Sequence, residues 1–214
     1  MEVKMGILDA VFRKRHPEEE RLQNIVDRLT FHPIRVIVSD DEQPEALSLL
    51  NEDGRELILI SRGLLRHLSE DELYFVLAHE VAHHILGHLY VKFLTFQIKN
   101  AIMEAIRPKP SWFDRIFRGK TDSPWWLQII DVVSEILLNK TILMEEEMEA
   151  DIKAIELLKI AGFPLTGAYR FFRRLQTEES FMDELYSMID EHPSPGDRLN
   201  DLLKHYPELA GNKI

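Results

Sequence analysis

Apolar positions first recur at helical spacing at Leu22, Ile25, Val26 and Leu29, behind three glutamates, Glu18 to Glu20, that follow Pro17. Negative charge in a first turn complements the positive end of a helix, so an amphipathic helix is predicted from about Pro17. Residues 34–38 and 57–60 are short β-rich runs, a weaker one covers Ala46–Leu50, and Glu52, Asp53 and Gly54 give a turn signal between the second and third. These runs predict a small sheet. Ser69 and Glu72 then make a capping box, which marks a helix start. From 73 to 91 the chain (LYFVLAHEVAHHILGHLYV) is apolar around nearly its whole circumference, as a buried helix is. Further on, Met144, Met148, Ala150, Ala154, Ile155, Leu157 and Leu158 share one arc of a second helical wheel. Gly162 and Pro164 supply its stop signal, and helices continue to about Tyr206. The predicted fold class is α+β, mostly helical, in a single domain spanning residues 1–214.

Inside the first buried helix stands His79-Glu80-Val81-Ala82-His83, an HExxH pattern. Two histidines four residues apart lie about 40° apart around a helix and one turn along it, so both imidazoles can reach one tetrahedral Zn²⁺. Glu80 sits about 100° round from His79, placed to take the proton of a water that the metal acidifies, as the general base of a hydrolase. Left without a partner, this polar sector in a core helix would be costly. Gly87, one turn beyond His83 on the same side, costs about 1 kcal/mol against alanine in a helix interior, so it is expected to make room for something. A metzincin would carry a further histidine where this chain has Leu89, and a glycine where it has Leu86. His88 lies about 180° from His79 if the helix stays regular, which leaves His84 and His88 as supporting, packing or surface histidines.

The remaining ligand must come from elsewhere, and the acidic cluster Glu145, Glu146, Glu147, Glu149 and Asp151 offers it. Counting from Leu143, the apolar arc centres near 50°, with Glu147 at about 40° and Asp151 at about 80°. Glu145, Glu146 and Glu149 fall on the solvated side. Buried carboxylates are paired or bind metal, so Glu147 is expected to be the third zinc ligand. Asp151 is placed to hydrogen-bond a ligand histidine and fix its tautomer.

HEVAHHILGH at 79–88, EMEAD at 147–151 and HPSPGDR at 192–198 together resemble the HtpX and CaaX prenyl endopeptidase family of gluzincins, and residues 54–80 are similar to that family's approach to its active-site helix. The resemblance implies a zincin-like core and a zinc metalloendopeptidase with one Zn²⁺ per chain. On the matching positions it implies Glu80 as catalytic base, His79, His83 and Glu147 as metal ligands, and Asp151 as a supporting group or proton donor. His192 and Arg198 match the last motif. His192 is then expected to steady the oxyanion or substrate, and Arg198 to anchor Asp151 or another carboxylate. The other reading of 192–198 is a Pro-rich turn capping a helix from Pro195.

Composition narrows the picture. A net charge of −11 gives no basic excess for nucleic acid, and the absence of cysteine excludes a disulfide framework, a thiol nucleophile and a Cys-ligated metal. The N-terminal stretch lacks the apolar core of a signal peptide, so a cytoplasmic location is expected. Residues 107–126 depart from a minimal zincin: they hold all three tryptophans, and five Lys/Arg against two Asp. Peripheral membrane contact, a lid or substrate-recruiting loop, and a plain packing insertion all stand open for this segment. The flanking runs 89–106 and 125–144 are interrupted by charges, so neither offers the roughly 20 uncharged residues of a membrane span. Two functions follow: an endopeptidase acting on polypeptide, in protein quality control, or a latent zinc-binding module whose insert blocks the cleft.

Overall fold

The computed structural model describes residues 17–51, 53–90, 140–177 and 194–211. The insert at 107–126 and His192 lie outside these residues.

Helix α1 (Pro17–Leu29) buries Leu22, Ile25, Val26 and Leu29, the apolar face its spacing predicted. Strands β1 (Arg35–Ser39), β2 (Ala46–Leu50) and β3 (Glu56–Ser61) form one sheet in the order β1-β3-β2. β1 runs parallel to β3, Val36 opposite Ile58, whereas β2 is antiparallel to it, Ser48 opposite Ile58. The β2–β3 turn needs a left-handed residue, which Gly54 supplies at φ 75°, and Asn51 closes it by accepting from the Asp53 and Arg55 amides.

The two sheet edges differ. On the β1 side, Gln23 Oε1 accepts from the Val36 amide at 2.9 Å and Glu19 Oε1 from the Val38 amide at 3.0 Å. Side chains of α1 thus satisfy donors that a neighbouring strand would otherwise take. β2 is the opposite edge, and among the described residues no strand pairs with its outer side.

After α2 (Arg62–His67) comes α3 (Glu70–Ile85), with the predicted capping box: the Glu72 carboxylate accepts from the Ser69 amide at 2.8 Å. Its middle is buried on every side, from Phe75 to His84. The single helix expected over 73–91 is broken: α3 ends at Ile85, and Gly87 takes φ 77° before residues 88–90 resume a helical turn. Among the described residues Gly87 does not make room for a neighbour, because a Cβ there would meet nothing within 4 Å. It is needed for the left-handed turn.

Helices α4 (Lys140–Ala161), α5 (Thr166–Thr177), α6 (Pro195–His205) and α7 (Glu208–Gly211) complete the described residues. Gly162, at φ 71°, ends α4 where the stop signal placed it, and the Phe163 amide returns to the Leu158 carbonyl. Ser194 caps α6 by accepting from the Asp197 amide. One main core joins α1, the near face of the sheet, α3, α4, α5 and α6. Ile37, Leu57 and Leu59 form a smaller cluster on the far face, with Leu47 and Leu49 against it. The architecture is α+β and mostly helical. Among the described residues no helix is long and apolar enough to cross a membrane.

Candidate metal centre

Helix α3 carries His79, Glu80 and His83, and α4 packs along it with Glu147 and Asp151 on the facing side. All five are buried, whereas Glu145 and Glu149 are exposed and Glu146 is intermediate, so the helical phase separated the carboxylates as the structure does.

His79 Nε2 and His83 Nε2 face each other at 3.1 Å. Glu147 completes the triangle, Oε2 at 3.3 Å from His79 Nε2 and Oε1 at 3.3 Å from His83 Nε2. Donors held 2.0–2.1 Å from a tetrahedral zinc stand roughly 3.3–3.4 Å apart, so these separations fit such an ion with little rearrangement. Neutral imidazole and carboxylate donors are also the chemistry zinc takes. Among the described residues, His79, His83 and Glu147 are the group of potential metal donors that converges this closely.

Around the triangle, each donor is held from behind. His79 Nδ1 lies 2.9 Å from Asp151 Oδ1. That contact leaves Nε2 to face the centre. Burial alone would push the His79 imidazole down, but the Asp151 and Glu147 carboxylates beside it outweigh that and raise it to about 10. The two carboxylates therefore already favour positive charge at this spot. His83 Nδ1 lies 2.9 Å from His88 Nδ1, so one ring donates to the other. Burial, and then the neighbouring His83, push His88 down, favouring its neutral form. Sequence phase set His88 opposite His79. The break at Gly87 instead swings it behind His83, in the supporting class of roles. His84 Nε2 meets the Leu57 carbonyl oxygen at 3.1 Å, tying α3 to β3.

Arg198, from α6, reaches into the same cluster. Its Nε and Nη2 donate to the two Asp151 oxygens, both at 2.7 Å, and its Nη1 lies 3.2 Å from Glu147 Oε2. Burial disfavours the charged carboxyl of Asp151, yet this guanidinium and His79 hold it below its usual range. The same two carboxylates raise Arg198 above its ordinary value, against its own burial. In the described part of 192–198, Arg198 pairs with Asp151 and Pro195 opens a helix capped by Ser194. Sequence reasoning missed Ser48, whose hydroxyl lies 2.6 Å from Glu80 Oε2. A lone serine in a weak strand carries no spacing signal.

The profile of peptidase family M48 matches residues 13–206. The chain belongs to that family. Similar proteins include "Protease HtpX homolog 1" of Streptomyces coelicolor, 30% identical over 117 residues, which are 52% of this chain and 36% of that protein. The "Protease HtpX homolog" of Aeropyrum pernix is 35% identical over 83 residues, 36% of this chain and 26% of the relative. "Protease HtpX" of a Psychrobacter species is 25% identical over 193 residues, 79% of this chain and 64% of its own. The chain thus spans less than two thirds of the length of these relatives. Among solved structures, S. mikatae Ste24p superposes with a TM-score of 0.50 at 21% identity, over 88% of this chain and 50% of that one. That likeness supports the zincin-like M48 fold.

Proposed function

We propose that this M48 chain is a zinc endopeptidase in which His79, His83 and Glu147 hold one Zn²⁺ and Glu80 is the general base. The observation that carries this reading is the convergence of His79 Nε2, His83 Nε2 and the Glu147 carboxylate at 3.1–3.3 Å. Glu80, one position on from a ligand, completes the pattern. Zinc bound there would supply an acidified water, with a pKa near 7, and a Lewis acid for the scissile carbonyl. Glu80 takes the proton from the attacking water and returns it to the departing amine. Asp151 keeps His79 in the tautomer that presents Nε2, and Arg198 keeps Asp151 ionised. His192, outside the described residues, retains its expected role at the oxyanion or substrate.

The substrate class is extended polypeptide. Edge strand β2 offers backbone hydrogen bonds that any unfolded segment can use, which suits a role in protein quality control. The described residues act as one metallopeptidase domain, with 107–126 inserted between its two metal-binding helices. For the test, we expect zinc-dependent cleavage of unfolded casein to be abolished in Glu80→Gln while bound zinc stays stoichiometric. Stoichiometric zinc with no hydrolysis by the parent chain would sink the proposal.

A further inference from the structure

Ser48 sits in the middle of β2, which is an edge strand among the described residues. Along that strand Leu47 and Leu49 pack onto the far-face cluster, while Ala46 packs onto the main core. Ser48 shares the face of Ala46, the one turned to α3. Its hydroxyl lies 2.8 Å from the main-chain carbonyl oxygen of Glu80 and 2.6 Å from Oε2 of the same residue. A tether between strand and helix would need the carbonyl contact alone. The carboxylate contact is additional, and its length is that of a charge-assisted hydrogen bond.

A hydroxyl carries one hydrogen and two lone pairs, so with two acceptors in reach it donates to one of them at a time. We infer that Ser48 is a positioning residue that fixes the orientation of the Glu80 carboxyl group beside the proposed metal site, a role that rests on the reading of Glu80 as general base. The Ser48 O–H donates to Oε2. As the attacking water's O–H bond breaks and its oxygen bonds to the carbonyl carbon, the proton passes to the Glu80 carboxylate. That proton goes to Oε1, so the Ser48 O–H stays on Oε2. When the C–N bond breaks, the proton leaves Glu80 for the amine nitrogen. Ser48 keeps its contact throughout, so the carboxyl group keeps its aim. Ser48 also ties this control to the strand that would carry substrate.

Ser48→Ala and Ser48→Thr test the role in the full chain at matched zinc content. For Ser48→Ala on unfolded casein we expect kcat to fall about 10- to 100-fold with KM unchanged, the usual scale for losing a hydrogen-bond partner behind a reacting group. Ser48→Thr, which keeps the hydroxyl, should recover most of that loss. An unchanged kcat in Ser48→Ala overturns the inference, as does a fall accounted for by lost zinc. A second measurement does not depend on turnover: urea unfolding of Ser48→Ala, Glu80→Ala and the double variant. The midpoint shift caused by Ser48→Ala should shrink in the Glu80→Ala background, because the carboxylate it served is gone. Equal shifts in both backgrounds overturn the inference. A parent chain that binds zinc and cleaves nothing sinks the peptidase reading, and the unfolding cycle still decides whether Ser48 holds Glu80.

Discussion

Arg198 holds two carboxylates of the site, since it grips both oxygens of Asp151 and also approaches Glu147. Replacing it with methionine leaves a buried carboxylate without its counter-charge, so Arg198→Met should lose about 3–5 kcal/mol of stability at neutral pH. The sign with pH follows from Asp151, whose folded pKa lies below its unfolded value of about 3.9. Its pairing stabilises the fold fully above that value and fades as pH falls through the folded one. Urea unfolding should therefore show the largest gap between parent and variant near pH 7, narrowing below about pH 4. At this scale the sequence was readable where residues share a helix. His79 and His83 declare each other by spacing, and Glu147 and Asp151 by falling inside an apolar arc. Arg198 was flagged by its motif, but its partner was not fixed, because a contact across 47 positions leaves no periodic trace. Ser48 left none at all.

Between elements, α3 and α5 approach until backbone nearly touches backbone. A Cβ on Gly167 would fall 1.9 Å from the Asp71 carbonyl oxygen, and no flexible side chain is there to yield. Thr166 seals the same contact by donating its hydroxyl to Asp71 Oδ2 at 2.7 Å. We expect Gly167→Ala to cost about 1–3 kcal/mol or more, measured as a lowered unfolding midpoint, and to reduce hydrolysis indirectly by shifting α3. Element starts and stops were mostly legible, as Ser69 with Glu72 and Gly162 show. The end of α3 was not, because an apolar run of nineteen residues is compatible with one helix or with two joined by a tight turn. Gly87 carried that information, and its left-handed φ rather than its small size was the reason for it.

Across the whole molecule, the donor cluster draws on three helices that are far apart in the chain: α3 and α4 supply the proposed ligands, and α6 the arginine behind them. Metal binding would therefore clamp the core as well as activate it. At free zinc about 100-fold above the dissociation constant, the gain is about 2.7 kcal/mol, or roughly 5–10 °C in Tm for a chain of this size. Chelation should reverse that shift in a thermal melt, and readdition of zinc should restore it. The sheet was legible as three runs, but its order was not, since β1 pairs in parallel with β3 although β2 intervenes in the chain, and no tight turn between the two marks that pairing. Helix α1 sets a limit on assembly. With Gln23 and Glu19 occupying the amides of β1, the sheet formed by the described residues can accept a new strand at one border only. Two copies meeting through β2 would use up each other's vacancy and stop there, so edge-to-edge growth of this sheet into a fibre has no second step.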